Sequence, residues 1–312
     1  ELRIRRPDLV EDSLSLPLKR LRSSLSELIQ ASEDREMAQE LQECQRRVGD
    51  LQETLTLFLT QEYHPYVYWV ERTGRHGQSL GLHAAPVDVA PFLRHRLFES
   101  GTSMVMTSAT LSVMGKRQEQ ADASSSRATR EEEGMAFFVA KVGAQGLRTM
   151  QQGSPFDFQK QTKCYVVSKM LDPRHEGHQV SLQEWIEHFI RQTQGGAFVL
   201  FTSLRVLKET AENMLPFFES QNITLYVQGS GLPRSTMLER FKQDKNAVLF
   251  GADSFWQGVD VPGDALRNVI ITRLPFQVPD HPLVEARLER IAARGGDGFT
   301  ESSLPEAILK FR

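Results

Sequence analysis

From Ser154 onward, short apolar runs alternate with stretches of helical period. No other feature constrains the fold of the chain as tightly. The runs are Ala197–Phe201, Ile223–Val227, Ala247–Phe250 and Asn268–Thr272. Each reads as a strand buried within a sheet. Leu204, Leu207, Ala211, Leu215 and Phe218 mark a helix after the first run, and Ser235 to Gln243 form a helix before the third. Ahead of them, Leu182, Trp185, Ile186 and Phe189 share one helical face, with Ser181-Leu-Gln-Glu184 as a capping box. Lys163–Val167 reads as a further strand. Repeated β-α-β units imply an α/β domain: a doubly wound parallel sheet, helices on both faces, right-handed crossovers.

In such sheets ligands bind beyond the carboxyl ends of the strands. The most informative strand end is Gly251-Ala-Asp-Ser-Phe-Trp-Gln-Gly-Val-Asp-Val-Pro-Gly-Asp264. Gly251, Gly258 and Gly263 permit tight turns or close approach. Ser254, Gln257 and Asp260 supply hydroxyl, amide and carboxylate groups, and Phe255 and Trp256 are large apolar residues in polar company. A turn-rich surface loop whose aromatics tuck into the core accounts for the same composition.

The loop resembles motif V of superfamily 2 helicases, in the form used by the DinG branch of the XPD-like group. Thr107-Ser-Ala-Thr-Leu111 is similar to motif III, and Val199-Leu-Phe-Thr-Ser203 to motif IV. Val269–Phe276 with Pro279 and Pro282 resembles the strand and proline-rich turn after motif V. The ordered set, running from about Tyr66 to Arg312, carries the resemblance. It implies a RecA-like second motor domain over 136–312, preceded by an α-helical arch-like segment (1–62) and the tail of a first motor domain (63–114). It implies an ATP-dependent DNA helicase, moving 5′ to 3′ on single-stranded or forked DNA in repair or replication, monomeric and cytoplasmic. The alternatives are a non-catalytic nucleic-acid-binding module and the helicase part of a DinG-like exonuclease.

The resemblance also assigns roles. Gln257, Gly258 and Asp260 become residues of the ATP cleft. Asp260 would orient a Mg²⁺-bound water or an arginine, and Arg273 joins it at the nucleotide. Ser108, Ala109 and Thr110 would couple cleft to DNA track. Thr202, Ser203, Arg205, Gln228, Arg234 and Trp256 would hold the strand, Trp256 as a plate for a base. Plainer roles stand beside these: turn capping for Asp260, hydroxyl caps for Ser108 and Thr110, an N-cap for Ser203, core packing for Phe255, a carboxylate partner for Arg273. Arg240 and Lys242 read as a solvated helix face. The chain has no Gly-x-x-x-x-Gly-Lys-Ser/Thr run, no Asp-Glu-x-His and no Gln-x-x-Gly-Arg. The resemblance thus implies an internal piece of a longer helicase, unable by itself to hydrolyse ATP. ATP and Mg²⁺ would be held jointly with residues elsewhere, and an iron–sulfur cluster is neither implied nor excluded.

The first third is different in kind. Leu14, Leu18, Leu21, Leu25 and Leu28 form one helical stripe, and Leu41, Cys44, Val48, Leu51, Leu55 and Phe58 a second. A helical hairpin follows, with Ser32 as cap of its second helix and Cys44 on the seam. A coiled-coil dimer is the alternative. Tyr63–Val70 and Leu80–Val89 read as strands, Pro91–Phe98 as a short helix, and Ser103–Ser108 as a buried strand. Residues 115–135 lack an apolar period and are expected to be disordered or loosely helical. A net charge of −3 provides no global basic field, so nucleic-acid binding must rest on local patches. The two cysteines, Cys44 and Cys164, lie far apart, without metal spacing, as in a reducing compartment. His64, His83 and His95 form no ligand pattern, no metal site is expected, and no apolar run is long enough to span a bilayer.

Overall fold

The computed structural model describes residues 1–63, 65–74, 77–113 and 127–311, with backbone alone for 127–133. It resolves into two compact units. One comprises Glu1–Ser108, Glu133–Arg148 and Gln277–Leu304; the other comprises Ala109–Glu132, Thr149–Phe276 and Pro305–Arg312. The expected motor domain of 136–312 therefore differs in content from the second unit. Two of its segments, up to Arg148 and from Gln277 to Leu304, belong to the first.

In the first unit, α1 (Ser15–Ala31) and α2 (Arg35–Thr60) form the expected hairpin. Asp34, not Ser32, caps α2: its carboxylate accepts from the backbone N–H of Glu36 at 2.9 Å. The Ser32 hydroxyl instead donates to the carbonyl of Asp34. Leu18 and Leu25 are half-buried, whereas Leu14, Leu21 and Leu28 stay exposed. A stripe spaced by three and four is wider than one neighbouring helix can cover, so one row is left outside. For the same reason Cys44 is exposed rather than packed on the seam. Phe58, at the base of α2, is buried edge-on to Tyr68, ring centroids 5.9 Å apart.

Tyr68 belongs to an antiparallel sheet of order β1 (Leu2–Ile4), β2 (Tyr66–Thr73), β3 (Ser79–Pro86). Its other face presents Val67 and Trp69 to Leu283 and Ala286 of the helix α9 (Pro282–Ala293). Arg3 and Arg5 of the first strand and the residue just after it reach Glu285 and Glu289 on that helix. A short helix, α3 (Ala90–Leu93), continues as a π turn over Arg94–Phe98. Ser103–Ser108, expected as a buried strand, is irregular and exposed, Val105 at 83%. Its apolar residues find no neighbouring strand among the described residues, and a ladder cannot form on one side alone. Residues 115–126 of the expected disordered stretch, with Met114 and His64, lie outside the described residues. The remainder of that stretch is helical: α4 runs Arg127–Val142. Its later part is apolar from Met135 on, and a helix once nucleated propagates into the preceding polar residues.

From Thr149 on, the second unit has a single turn, α5 (Phe158–Gln161), and an irregular exposed stretch where Lys163–Val167 was expected as a strand. The helix α6 (His178–Thr193) begins a turn ahead of Ser181. The N–H of Ser181 already bonds to the Gly177 carbonyl, so no donor remains there for a capping box to satisfy. Four strands then build a parallel sheet of order β5 (Leu225–Val227), β6 (Val248–Ala252), β4 (Ala197–Phe201), β7 (Asn268–Ile271). The connecting helices are α7 (Leu204–Ser220) and α8 (Arg234–Gln243), and α10 (Leu304–Phe311) closes the chain.

Alternation along the central strands feeds two cores. Ala197, Val199 and Phe201 join Val248, Phe250 and Ala252 in a cluster with Ile186, Leu207 and Phe218 from α6 and α7. Phe198, Leu200 and Leu249 point the other way, to Met237 and Phe241 of α8 and to Phe255. Both faces are therefore covered, as the unbroken apolar runs require. At about 25 cal/mol per Å², each fully buried phenylalanine here contributes on the order of 2–3 kcal/mol.

Candidate functional site

All four strands run the same way, so their carboxyl ends share one edge. That edge gathers Thr202 and Ser203 after β4, Gln228 after β5, the 253–260 loop after β6, and Thr272 and Arg273 after β7. Most of the residues singled out in the sequence converge there. The structure also shows how the loops are fastened to one another.

Gln228 extends the β5–β6 ladder past its end. Its backbone N–H bonds to the Phe250 carbonyl at 3.0 Å. Its side-chain carbonyl accepts from the N–H of Ala252 at 2.7 Å, and its amide donates to Ser254 Oγ at 3.3 Å. Its polar side chain therefore serves the neighbouring loop. Thr272 does the same for β4 and β7, its N–H and hydroxyl both donating to the Leu200 carbonyl.

The 253–260 loop begins as a 3₁₀ turn over Asp253–Phe255. Phe255 is 3% exposed and stands edge-on to Phe198. Its ring closes directly over Gly251, where an added Cβ would lie 2.6 Å from Phe255 Cβ. Only glycine leaves room for that ring. Trp256 is half-buried in the same core, and its indole N–H donates to the Phe201 carbonyl at 2.9 Å. A part-buried indole needs such an acceptor, and the bond ties the β6 loop to the end of β4. The expectation of Trp256 as a free plate for a base gives way to an anchor.

Arg234, the first residue of α8, donates to the carbonyls of Gln257 and Gly258 at 3.3 and 3.1 Å, and its guanidinium lies 5.4 Å from the Phe255 ring centroid. It, too, faces the loop. Beyond these fastenings, Gln257, Gly258 and Asp260 are exposed, and Gly258 adopts φ +66°. The loop is thus pinned at its base while its polar end stays open to solvent.

Ser203 caps α7, its hydroxyl accepting from the N–H of Val206, as the plainer role required. Thr202 is half-buried and Arg205 exposed in the first turn. Hydroxyls, a helix N-terminus and a cation in this order suit an anion. Arg273 is exposed and adds to the field on Asp172, whose carboxyl is held below its ordinary range chiefly by hydrogen bonds from Arg174. Ser108, Ala109 and Thr110 form the turn where the chain passes from the first unit to the second, exposed except for the half-buried Thr110.

Two participants, Lys208 and Lys310, had no signature in the sequence. Lys208 stretches over Gly229, which has φ +84°. Lys310 of α10 pairs with Asp253 at 2.7 Å across 57 positions. Ser254 was visible as a hydroxyl, but its link to Gln228 depends on strand order.

Among the described residues, no group of three His, Cys, Asp or Glu side chains is close enough to hold a metal. Mg²⁺ takes near-octahedral oxygen ligation. One exposed carboxylate, Asp260, does not compose such a site, so no chemical step is assigned to a metal here. No helix among the described residues is long and apolar enough to cross a membrane.

Comparison with known proteins agrees with this architecture. Residues 186–312 match the helicase C-terminal domain family. A protein of Bacillus subtilis (strain 168) named 3′-5′ exonuclease DinG is 32% identical over 251 residues, 78% of this chain and 25% of its own length. The ATP-dependent DNA helicase YoaA of Escherichia coli (strain K12) is 31% identical over 247 residues, 79% of this chain and 35% of its own. The ATP-dependent helicase DinG of Mycobacterium tuberculosis (strain ATCC 25618 / H37Rv) is 34% identical over 251 residues, 78% of this chain and 34% of its own. The chain therefore spans a quarter to about a third of the length of these curated relatives. With the parallel-sheet unit, the strand-end loop and these matches together, residues 186–312 belong to the helicase C-terminal domain family, and the chain is similar over nearly four fifths of its length to these DinG and YoaA proteins.

Proposed function

We propose that this chain is the arch-like segment, the tail of the first motor domain and most of the second motor domain of an ATP-dependent DNA helicase. It translocates 5′ to 3′ on single-stranded DNA and opens forked duplexes in repair or replication. The observation that carries this reading is the single sheet edge on which four strand-end loops meet. There the 253–260 loop is pinned through Gln228, Trp256 and Arg234 and leaves Gln257 and Asp260 exposed.

In this reading Gln257, Gly258, Asp260 and Arg273 face the nucleotide, and Thr202, Ser203 and Arg205 hold a strand phosphate. None of these contacts reads a base edge, so binding is independent of sequence and weakens with salt. Ser108, Ala109 and Thr110 couple the two tasks. A motor of this kind works by preorganised polar groups aimed at phosphoryl oxygens. A loop held at its base and open at its polar end meets that requirement. The name of the Bacillus relative raises a second reading, a motor serving an exonuclease.

The test uses the full-length protein. Asp260→Ala should lower DNA-stimulated ATPase at least about 100-fold, the usual scale for a preorganised polar group, with circular dichroism unchanged. Normal turnover in that variant removes Asp260 from the cleft. Arg205→Gln should weaken single-strand binding and reduce the salt slope by about one. Progressive shortening of a 5′-labelled strand from its 3′ end by the same preparation would favour the exonuclease-linked reading.

A further inference from the structure

Arg234 occupies the first turn of α8, where the helix dipole disfavours a cation. Helix propensity alone gives no reason for it to be there, and its contacts supply one. Its guanidinium spans from the Phe255 ring to the carbonyls of Gln257 and Gly258. The ring is buried and closed over Gly251. Gly258 sits in the left-handed region, φ +66°, which fixes the direction of the backbone entering Val259 and Asp260. Arg234 thus links a left-handed glycine to a buried aromatic ring, two residues ahead of the exposed carboxylate.

We propose that Arg234 is a positioning residue: it holds the 255–258 backbone in the orientation that presents Asp260, and any contact with DNA is secondary. The proposal rests on the functional reading above for its effect on turnover, though not for its effect on the loop. Lysine keeps the charge but loses the planar fork and the stacking. In the full-length protein, Arg234→Lys should speed hydrogen exchange across 253–260 about tenfold and leave β4 and β6 unchanged. DNA-stimulated kcat should fall about tenfold, while KM for ATP and the Kd and salt slope for oligo(dT) move less than about twofold. Gly258→Ala, which strains the same torsion, should lower kcat similarly, and the double variant should be no worse than either single one. Arg240→Lys, on the solvated face of α8, should change none of these. Unaltered exchange at 253–260, or a loss confined to oligo(dT) affinity with kcat intact, overturns the proposal. Faster exchange in a protein whose wild type shows no DNA-stimulated turnover upholds the brace and sinks the helicase reading. Unchanged exchange beside full turnover does the reverse.

Discussion

Two stretches of the second unit have nearly the same local character and opposite fates. Ala197-Phe-Val-Leu-Phe201 and Lys163-Cys-Tyr-Val-Val167 are both short and rich in β-branched or aromatic residues. The first becomes β4, flanked by β6 and β7 in parallel register, with Val199 and Phe201 at 0% exposure. The second pairs with no strand among the described residues, and Val166 is 85% exposed. What separates them is the neighbours. A strand is stabilised by cross-strand partners and by cover on its faces, and intrinsic preference alone does not supply either. The same holds for Ser103–Ser108 in the first unit.

The largest expected effect tests that contrast directly. Phe250 is fully buried between Phe201 and Phe218, with ring centroids at 5.2 and 5.7 Å. Phe250→Ala should cost about 3–5 kcal/mol in urea denaturation followed by circular dichroism. Val166→Ala should stay within about 0.5 kcal/mol. A comparable loss at both positions would mean that the 163–167 run is covered after all, and the contrast would collapse.

The legible parts of the fold were those whose partners are close in sequence or repeat with a strict period. The β4–α7–β5–α8–β6–β7 order followed from apolar runs and helical stripes. So did the α1–α2 hairpin. At the site, the loop after β6 and the hydroxyls after β4 could be found from strand ends alone. What could not be read was how polar groups are distributed between loops. Gln228, Arg234 and Trp256 were assigned outward roles, toward DNA. Each has its polar atoms on the 253–260 loop or the end of β4, because strand order brings β5, β6 and β4 side by side. A donor in a sequence carries no sign of its acceptor when that acceptor is a backbone carbonyl 55 residues away, as for Trp256 and Phe201.

Gly251→Ala sharpens the point at a position where contact alone decides. Gly251 carries no unusual torsion, but its missing Cβ is the space that Phe255 fills. Overpacking there should cost about 1–3 kcal/mol. It should also free the indole of Trp256, whose fluorescence in a Trp69→Phe, Trp185→Phe background would shift to the red. Unchanged stability and emission would show that the ring can step aside and that the loop is not pinned by it.

At the hairpin turn the comparison is between two neighbouring side chains. Asp34 accepts from a helix N–H, whereas Ser32 donates to a carbonyl ahead of the helix. Losing the cap at Asp34→Ala should cost roughly 1 kcal/mol, and Ser32→Ala only a few tenths. Equal effects would place the cap back at the serine.

The smallest effect concerns charge across the first unit. The Glu289 carboxyl is held below its ordinary range, first by the hydrogen bond from Arg5, with Arg3 adding to it against the opposing effect of burial. A carboxyl whose folded pKa is depressed contributes stability above its unfolded value. That contribution fades as pH falls through the folded value. The difference in stability between wild type and Glu289→Gln should therefore be greatest at neutral pH and shrink once the solution is more acidic than the ordinary glutamate range. Both Arg5 and Glu289 are about half exposed, at 52% and 44%, so the difference should stay below about 1 kcal/mol. Because the pair is screened by solvent, about 1 M salt should reduce it further. A difference that grew on acidification would mean that Glu289 is protonated in the folded protein and that β1 is held to α9 by packing alone.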